Sequence, residues 1–298
     1  MSTIRVGLVQ MALKAPTSAP VAEIRDAMND AHVAQVEAAA RAGVQVLAFQ
    51  EVFNQPYFCP VNDPKWAGAA EPLDGPTVTR FAPLAARHSM VIALPMYERA
   101  ADGRRFNTTV VLDADGSVLG TYQKTHIPTI GGRLHTMIPA EARGTERTWF
   151  EPGETGWPVF TTRWLKLGVY TCYDRHFPEG WRALGLAGAD YVVNPSATWV
   201  GLSRHLWTIE QPAAAVANGF YVGAINRVGE EAPWNIGRFY GSSYVVDPRG
   251  QILAQGPEDA DALVVADVDL DVVREVRETW RFFEHRRPET YAPVSADA

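Results

Sequence analysis

Cysteine is scarce: Cys59 and Cys172 are the only two in 298 residues, so no disulfide framework holds this chain, and its length lets it rely on a large buried core instead. A reducing cytoplasm is the expected setting. A basic excess is also lacking, since 27 Lys and Arg stand against 34 Asp and Glu for a net charge of −7, and a nucleic-acid surface needs clustered positive charge. No apolar run approaches the ~18 residues of a membrane span. The first residues, MSTIRVGLVQMAL, read as an amphipathic strand and not as the basic, apolar and small-residue regions of a secretion signal. Neither GxGxxG nor GxxxxGKS/T occurs, so no nucleotide phosphate loop is expected. The histidines are scattered without HExxH spacing and the cysteines without CxxC, so neither a metal nor a cofactor is expected.

What the chain does contain, at 47% hydrophobic and 20% charged residues, is an ordinary globular composition with strongly periodic segments. Strands are expected at Ile4 to Gln10, Val44 to Phe49 and Met90 to Met96, with helices from about Val21 to Arg41, closed by Gly43, and from Pro76 to Arg87. Asn107 to Asp113 and Ser117 to Tyr122 form a hairpin. A long irregular stretch from Thr125 to Pro158 follows. Then come a strand at Leu167 to Thr171, a helix near Trp181 to Leu186, a strand at Tyr191 to Asn194, a helix around His205 to Asn218 that Pro212 interrupts or restarts, and a strand at Phe220 to Ile225. The segments Ser242 to Val246 and Gln251 to Ala254 flank a turn, and Ala262 to Val268 leads into an amphipathic helix over Asp269 to Phe283.

The order strand, helix, strand, helix, strand, hairpin thus occurs twice, over residues 4 to 122 and 166 to 255. Two similar layers packed sheet to sheet follow from it, an α/β four-layer αββα sandwich of two mixed sheets, and near-continuous apolar strands suit sheets covered on both faces. One domain over 1–285 and a polar tail over 286–298, with Tyr291 as an anchor, complete the division.

The chemistry-bearing stretch is LGVYTCYDRHFPEGW, where an apolar strand ends at Cys172 and a polar turn leads into a helix. A side chain there is presented at a sheet edge beside free backbone N–H groups. A buried structural thiol is the bland alternative. Glu51 and Lys124 also lie just past strand ends, where α/β proteins build their sites, although each is as readily a solvated loop residue or a snorkelling lysine. Together the three supply what an acyl-transferring thiol needs. Glu51 can take the thiol proton as general base, and Lys124 with the Tyr173 amide can stabilise the oxyanion.

On the strings FQEVF around Glu51, YQKTHIP around Lys124 and YTCYDRHFPE around Cys172, in this order, the chain is identified as resembling the nitrilase superfamily of carbon-nitrogen hydrolases from about Ile4 to Tyr291. The resemblance implies a Glu51, Lys124, Cys172 triad and a further glutamate, Glu146 in ERTWFEPGETG, that holds the lysine and the substrate nitrogen. The stretches NPSATWVGLSRHLWTIE, which begins with Asn194, INRVG and FYGSSYVVDPRG resemble the branch that hydrolyses N-carbamoyl compounds, of the β-ureidopropionase type. There Arg175 is placed to bind a substrate carboxylate, with bracing of the turn through Asp174 or Glu179 as the alternative. Tyr173, His126, His176 and Asn194 complete the expected substrate pocket, with His176 equally readable as a buried, hydrogen-bonded side chain. Asp174 and Phe177 stand where that branch commonly has glycine and a second histidine, and Asp174 is similar to the D-carbamoylase pattern. The implied partner is a small carbamoyl or amide substrate, and the implied assembly a homo-oligomer. Hydrolysis of N-carbamoylputrescine, another amide or a nitrile, and a non-enzymatic redox-sensing thiol, are the remaining readings.

Overall fold

The computed structural model describes residues 2–129, 145–234 and 236–292. Alternation along the strands explains the layers. In β1 (Thr3–Gln10), Ile4, Val6 and Leu8 enter one buried cluster while Val9 enters a second. In β2 (Val46–Phe49), Val46 and Ala48 face the first cluster and Leu47 and Phe49 the second; β3 (Val91–Arg99) divides Val91 and Ala93 from Ile92 and Leu94 in the same way. Each strand is therefore buried on both faces, which is why its apolar run is unbroken.

Helices α1 (Val21–Arg41) and α2 (Pro76–His88) cover the second cluster through Ile24, Met28, Val36 and Ala39 and through Val78, Phe81 and Ala85. Gly43, at φ 74, turns the chain out of α1 in a left-handed conformation that glycine adopts without a Cβ penalty. The strands β4 (Arg105–Leu112) and β5 (Val118–Gln123) complete the first sheet as the expected hairpin.

The second half repeats the plan. After a short β6 (Val159–Thr161), β7 (Lys166–Val169), β8 (Tyr191–Pro195) and β9 (Tyr221–Ile225) run parallel, with α4 (Pro178–Leu186) and α6 (Glu210–Asn218) between them. The hairpin β12 (Tyr244–Val246) and β13 (Ile252–Gln255) follows, antiparallel to β9. With β14 (Ala262–Asp269) included, the sheet orders are β14-β1-β2-β3-β4-β5 and β13-β12-β9-β8-β7-β6, so the two halves match strand for strand and both sheets are mixed. This last strand, β14, returns antiparallel to β1 and ties the C-terminal half to the first sheet. At Gly223 on β9 a Cβ would stand 2.9 Å from Leu8 of β1 and 2.1 Å from the Tyr191 hydroxyl, so the sheets meet there only because the side chain is missing.

Several boundaries differ from expectation for identifiable reasons. The helix expected around His205 to Asn218 is two: α5 (Leu202–Trp207) stops, and α6 restarts at Glu210 with Pro212 in its first turn, where the ring needs no hydrogen bond. The C-terminal helix α7 (Leu270–Trp280) ends earlier than Phe283, because Arg281 at φ 53 turns the chain and stacks Phe282 on Trp280. The irregular stretch from Thr125 to Pro158 contains a one-turn helix, α3 (Glu146–Trp149), while its residues 130–144 lie outside the described residues. A two-stranded sheet of β10 (Val228–Gly229) and β11 (Phe239–Tyr240) is inserted within the second repeat, between β9 and β12. Of the tail, Arg286, Pro288, Glu289, Tyr291 and Ala292 border a groove of about 1100 Å³ beside α4 and α6, with Arg286 over the Tyr291 ring; residues 293–298 lie outside the described residues.

Candidate active site

Three strand ends and the start of a one-turn helix deliver four titratable side chains to one buried place. Glu51 follows β2, and its Oε1 accepts from Asn107 Nδ2 at 2.7 Å and from Lys124 Nζ at 2.9 Å. Lys124 directly follows β5, and its ammonium also donates to Glu146 Oε2 at 2.6 Å. Glu146 opens α3, and its other oxygen accepts from the Tyr57 hydroxyl at 2.6 Å. Glu51 Oε2 is buried and has no hydrogen-bond partner among the described residues.

Cys172 begins a single 3₁₀ turn, Cys172–His176, two residues beyond the strand-like Tyr170, and its backbone is left-handed at φ 48. A non-glycine residue in that conformation is strained by roughly 1–2 kcal/mol, and Asp174 holds the turn in it. The Asp174 carboxylate accepts from Thr171 N, from the Tyr122 hydroxyl at 2.6 Å and from both the backbone N–H and Nδ1 of His126. Its four donors come from β5, the segment after it and the cysteine strand, so Asp174 welds the Cys172 turn to the Lys124 segment. Phe177 serves the same joint, stacking on the His126 ring at 3.7 Å.

The electrostatics identify what the cluster can do. Burial pushes the Cys172 thiol up to about 12, the Glu51 charge adding to it and Lys124 opposing. Such a thiol holds little thiolate at neutral pH and needs a base at the moment of attack. Burial pulls the Lys124 ammonium down, but the charges of Glu146 and Glu51 outweigh it and hold it well above the usual lysine value. Burial likewise raises Glu146 above the usual carboxylate range against the pull of Lys124. Two carboxylates therefore share one ammonium out of water. Tyr57, raised well above its ordinary value by burial and then by Glu146, remains a donor.

The remaining residues named from sequence occupy distinct positions. Arg175 lies in the cysteine turn, with Nη1 donating to the Cys172 carbonyl at 3.0 Å and standing 3.8 Å from its Sγ. Its Nε donates to Glu210 Oε2 at 3.2 Å, so its acidic partner is on α6 and is neither Asp174 nor Glu179. His176 Nδ1 meets the other Glu210 oxygen at 2.6 Å. Tyr173 packs its ring against His176 and Phe177. Asn194 is buried and donates to the Tyr170 carbonyl while its Oδ1 accepts from Ser196 and Gln211, a position that braces the strand leading to Cys172.

Sequence reading alone does not single out Asn107, Tyr57, Glu210, Arg227 or Glu231. Arg227 carries the one available signal, a charged residue in the string INRVG two positions past the apolar strand that ends at Ile225.

The Carbon-nitrogen hydrolase family matches residues 5–278. The chain is 36% identical to β-ureidopropionase of Arabidopsis thaliana, over 98% of this chain and 73% of that protein. It is 33% identical to N-carbamoylputrescine amidase of the same plant, over 96% and 93%. Among solved structures, the carbon-nitrogen hydrolase of Helicobacter pylori superposes with a TM-score of 0.82 at 28% identity, covering 99% of both chains. The chain belongs to the carbon-nitrogen hydrolase family of the nitrilase superfamily, as an amide-hydrolysing enzyme.

Proposed function

We propose that this enzyme hydrolyses the carbamoyl C–N bond of N-carbamoyl amino acids of the N-carbamoyl-β-alanine type, releasing the amino acid, carbon dioxide and ammonia. The observation that carries the chemistry is the Lys124 ammonium held between Glu51 and Glu146 beside Cys172. Cys172 Sγ attacks the carbamoyl carbon as its proton passes to the unpartnered Oε2 of Glu51. The oxyanion forms against the third N–H of Lys124 and the Tyr173 amide. Collapse breaks the bond to the amino-acid nitrogen, which takes the proton from Glu51 and leaves as the amine. A carbamoyl thioester remains on Cys172. Water, activated by Glu51, cleaves it to carbamic acid, which falls apart into carbon dioxide and ammonia, and the thiol is restored.

The carbamoyl reading is supported by the names of the two plant relatives, and the carboxylate-bearing substrate by the Arg175 guanidinium at the edge of the cysteine turn. Glu210 favours a second reading. Its carboxylate compensates Arg175 and is itself partly open to the groove, a surrounding that suits a cationic substrate such as N-carbamoylputrescine. A homo-oligomer in a reducing cytoplasm belongs to the same proposal; the two free thiols fit that compartment. Incubation with N-carbamoyl-β-alanine, N-carbamoyl-D- and L-amino acids, N-carbamoylputrescine and simple amides, with carbon dioxide and ammonia both measured, tests it. Turnover of the carboxylates with equal release of both gases is expected. Turnover of simple amides alone, without carbon dioxide, defeats the carbamoyl reading.

A further inference from the structure

Arg227 comes from the second half of the chain, between β9 and β10, yet its fully buried guanidinium is spent on the catalytic loop of the first half. Nη2 donates to three carbonyl oxygens there, those of Glu51 at 2.9 Å, Val52 and Gln55 at 2.6 Å. Nη1 donates to Glu231 Oε1 at 2.8 Å, and Glu231 Oε2 accepts from the Tyr57 backbone N–H at 2.6 Å. Tyr57 in turn holds Glu146 through its hydroxyl. One ion pair therefore grips the backbone on both sides of the loop that runs from Glu51 to Tyr57.

That loop needs gripping. Val52 sits at φ 47, a conformation that a β-branched side chain resists, and it immediately follows Glu51. If Val52 relaxes, the Glu51 backbone rotates and its carboxylate leaves Lys124 and Asn107. Arg227 is buried where a charge is costly, its Nε has no partner among the described residues, and burial raises Glu231. A stability device would be better built from apolar packing.

We propose that Arg227 and Glu231 are positioning residues that set the two carboxylates flanking Lys124, Glu51 through its backbone carbonyl and Glu146 through Tyr57, so that Oε2 of Glu51 is held as the proton acceptor for Cys172. The proposal rests on the reading of Glu51 as base and Cys172 as nucleophile. It adds that the second sheet controls the base carried by the first.

Iodoacetamide alkylation of Cys172, followed by peptide mass spectrometry across pH and normalised to the folded fraction by circular dichroism, tests it without a substrate. In the wild type, Glu51 assists proton removal, so alkylation is established near neutral pH. In Glu51→Gln the loss of the proton acceptor outweighs the easier thiolate formation that follows from removing the Glu51 charge, so the rate falls at least about tenfold there and climbs with pH as thiolate forms. Arg227→Lys and Glu231→Gln reproduce that profile, displaced to higher pH per folded molecule, because the lysine lacks the fork and the glutamine keeps only one of two acceptors. If Arg227→Lys does not fold, Glu231→Gln alone decides. A wild-type pH profile in the folded variants overturns the positioning role. A wild-type profile in Glu51→Gln overturns the base assignment beneath it, and the positioning role with it.

Discussion

Cys172 and Val52 share one left-handed backbone conformation, φ 48 and 47, each three residues past a parallel strand, β7 ending at Val169 and β2 at Phe49. The turn sends the chain sharply across the end of its sheet, and in doing so presents Cys172 itself from one half and Glu51, the neighbour of Val52, from the other. Strain of roughly 1–2 kcal/mol at each site is held by buried polar groups, Asp174 at the first and Arg227 at the second. Such strain persists only where the surroundings over-determine it, as at a site that must be preorganised.

Replacing Cys172 by serine or alanine is expected to abolish turnover without changing the circular dichroism spectrum, since the side chain is small. Iodoacetamide should label Cys172 well before Cys59, which is buried beside Tyr57 and Glu146 and pushed well above the ordinary thiol range. Equal labelling of the two, or an active alanine variant, defeats the nucleophile.

The charges around Cys172 should matter through kcat. Lys124→Ala and Glu51→Gln each remove an interaction made in the transition state, and each is expected to lower kcat at least about a hundredfold, or roughly 3 kcal/mol. Glu146→Gln should act in the same direction, because it loosens Lys124. Activity should survive EDTA; loss to chelator with recovery on adding zinc would contradict a thiol mechanism.

Specificity turns on Arg175 and Glu210. Arg175→Lys should raise KM for N-carbamoyl amino acids while hardly changing hydrolysis of a carboxylate-free substrate, because the lysine loses the fork. Glu210→Gln, which frees the guanidinium, should lower KM for carboxylates and raise it for N-carbamoylputrescine. Melting temperature is measured alongside. A uniform activity loss with a lowered melting point in both variants means the ion pair only braces α6 against the cysteine turn.

Acid stability should report His32. Its ring is buried between Phe49 and Phe53, at 4.7 Å from each, and burial pulls the imidazole down to about 4. Folded His32 therefore stays neutral while the unfolded chain takes up a proton near the ordinary value. Stability is fully present above that value and is lost as pH falls from about 6.5 towards 4, by up to about 3 kcal/mol. Urea unfolding across this window should show the slope in the wild type and a flatter one in His32→Leu. An unchanged slope assigns the acid sensitivity elsewhere.

The sequence by itself determined the two-fold order of elements, because strand and helix periods record which faces are covered, and a covered face is a local property. It also determined which residue types stand just past the strand ends, so the strings around Glu51, Lys124 and Cys172 were legible without coordinates, and the resemblance they carry added Glu146. Only the tertiary structure decided who pairs with whom. Lys124 meets Glu51 across 73 residues and Glu146 across 22, and Arg227 reaches the Glu51 carbonyl across 176. Arg175 passes over the nearby Asp174 and Glu179 for Glu210, since Asp174 is already saturated by Thr171, Tyr122 and His126. A buried charge selects its partner by the direction and desolvation that the packed sheets impose, and neither quantity exists along an unfolded chain.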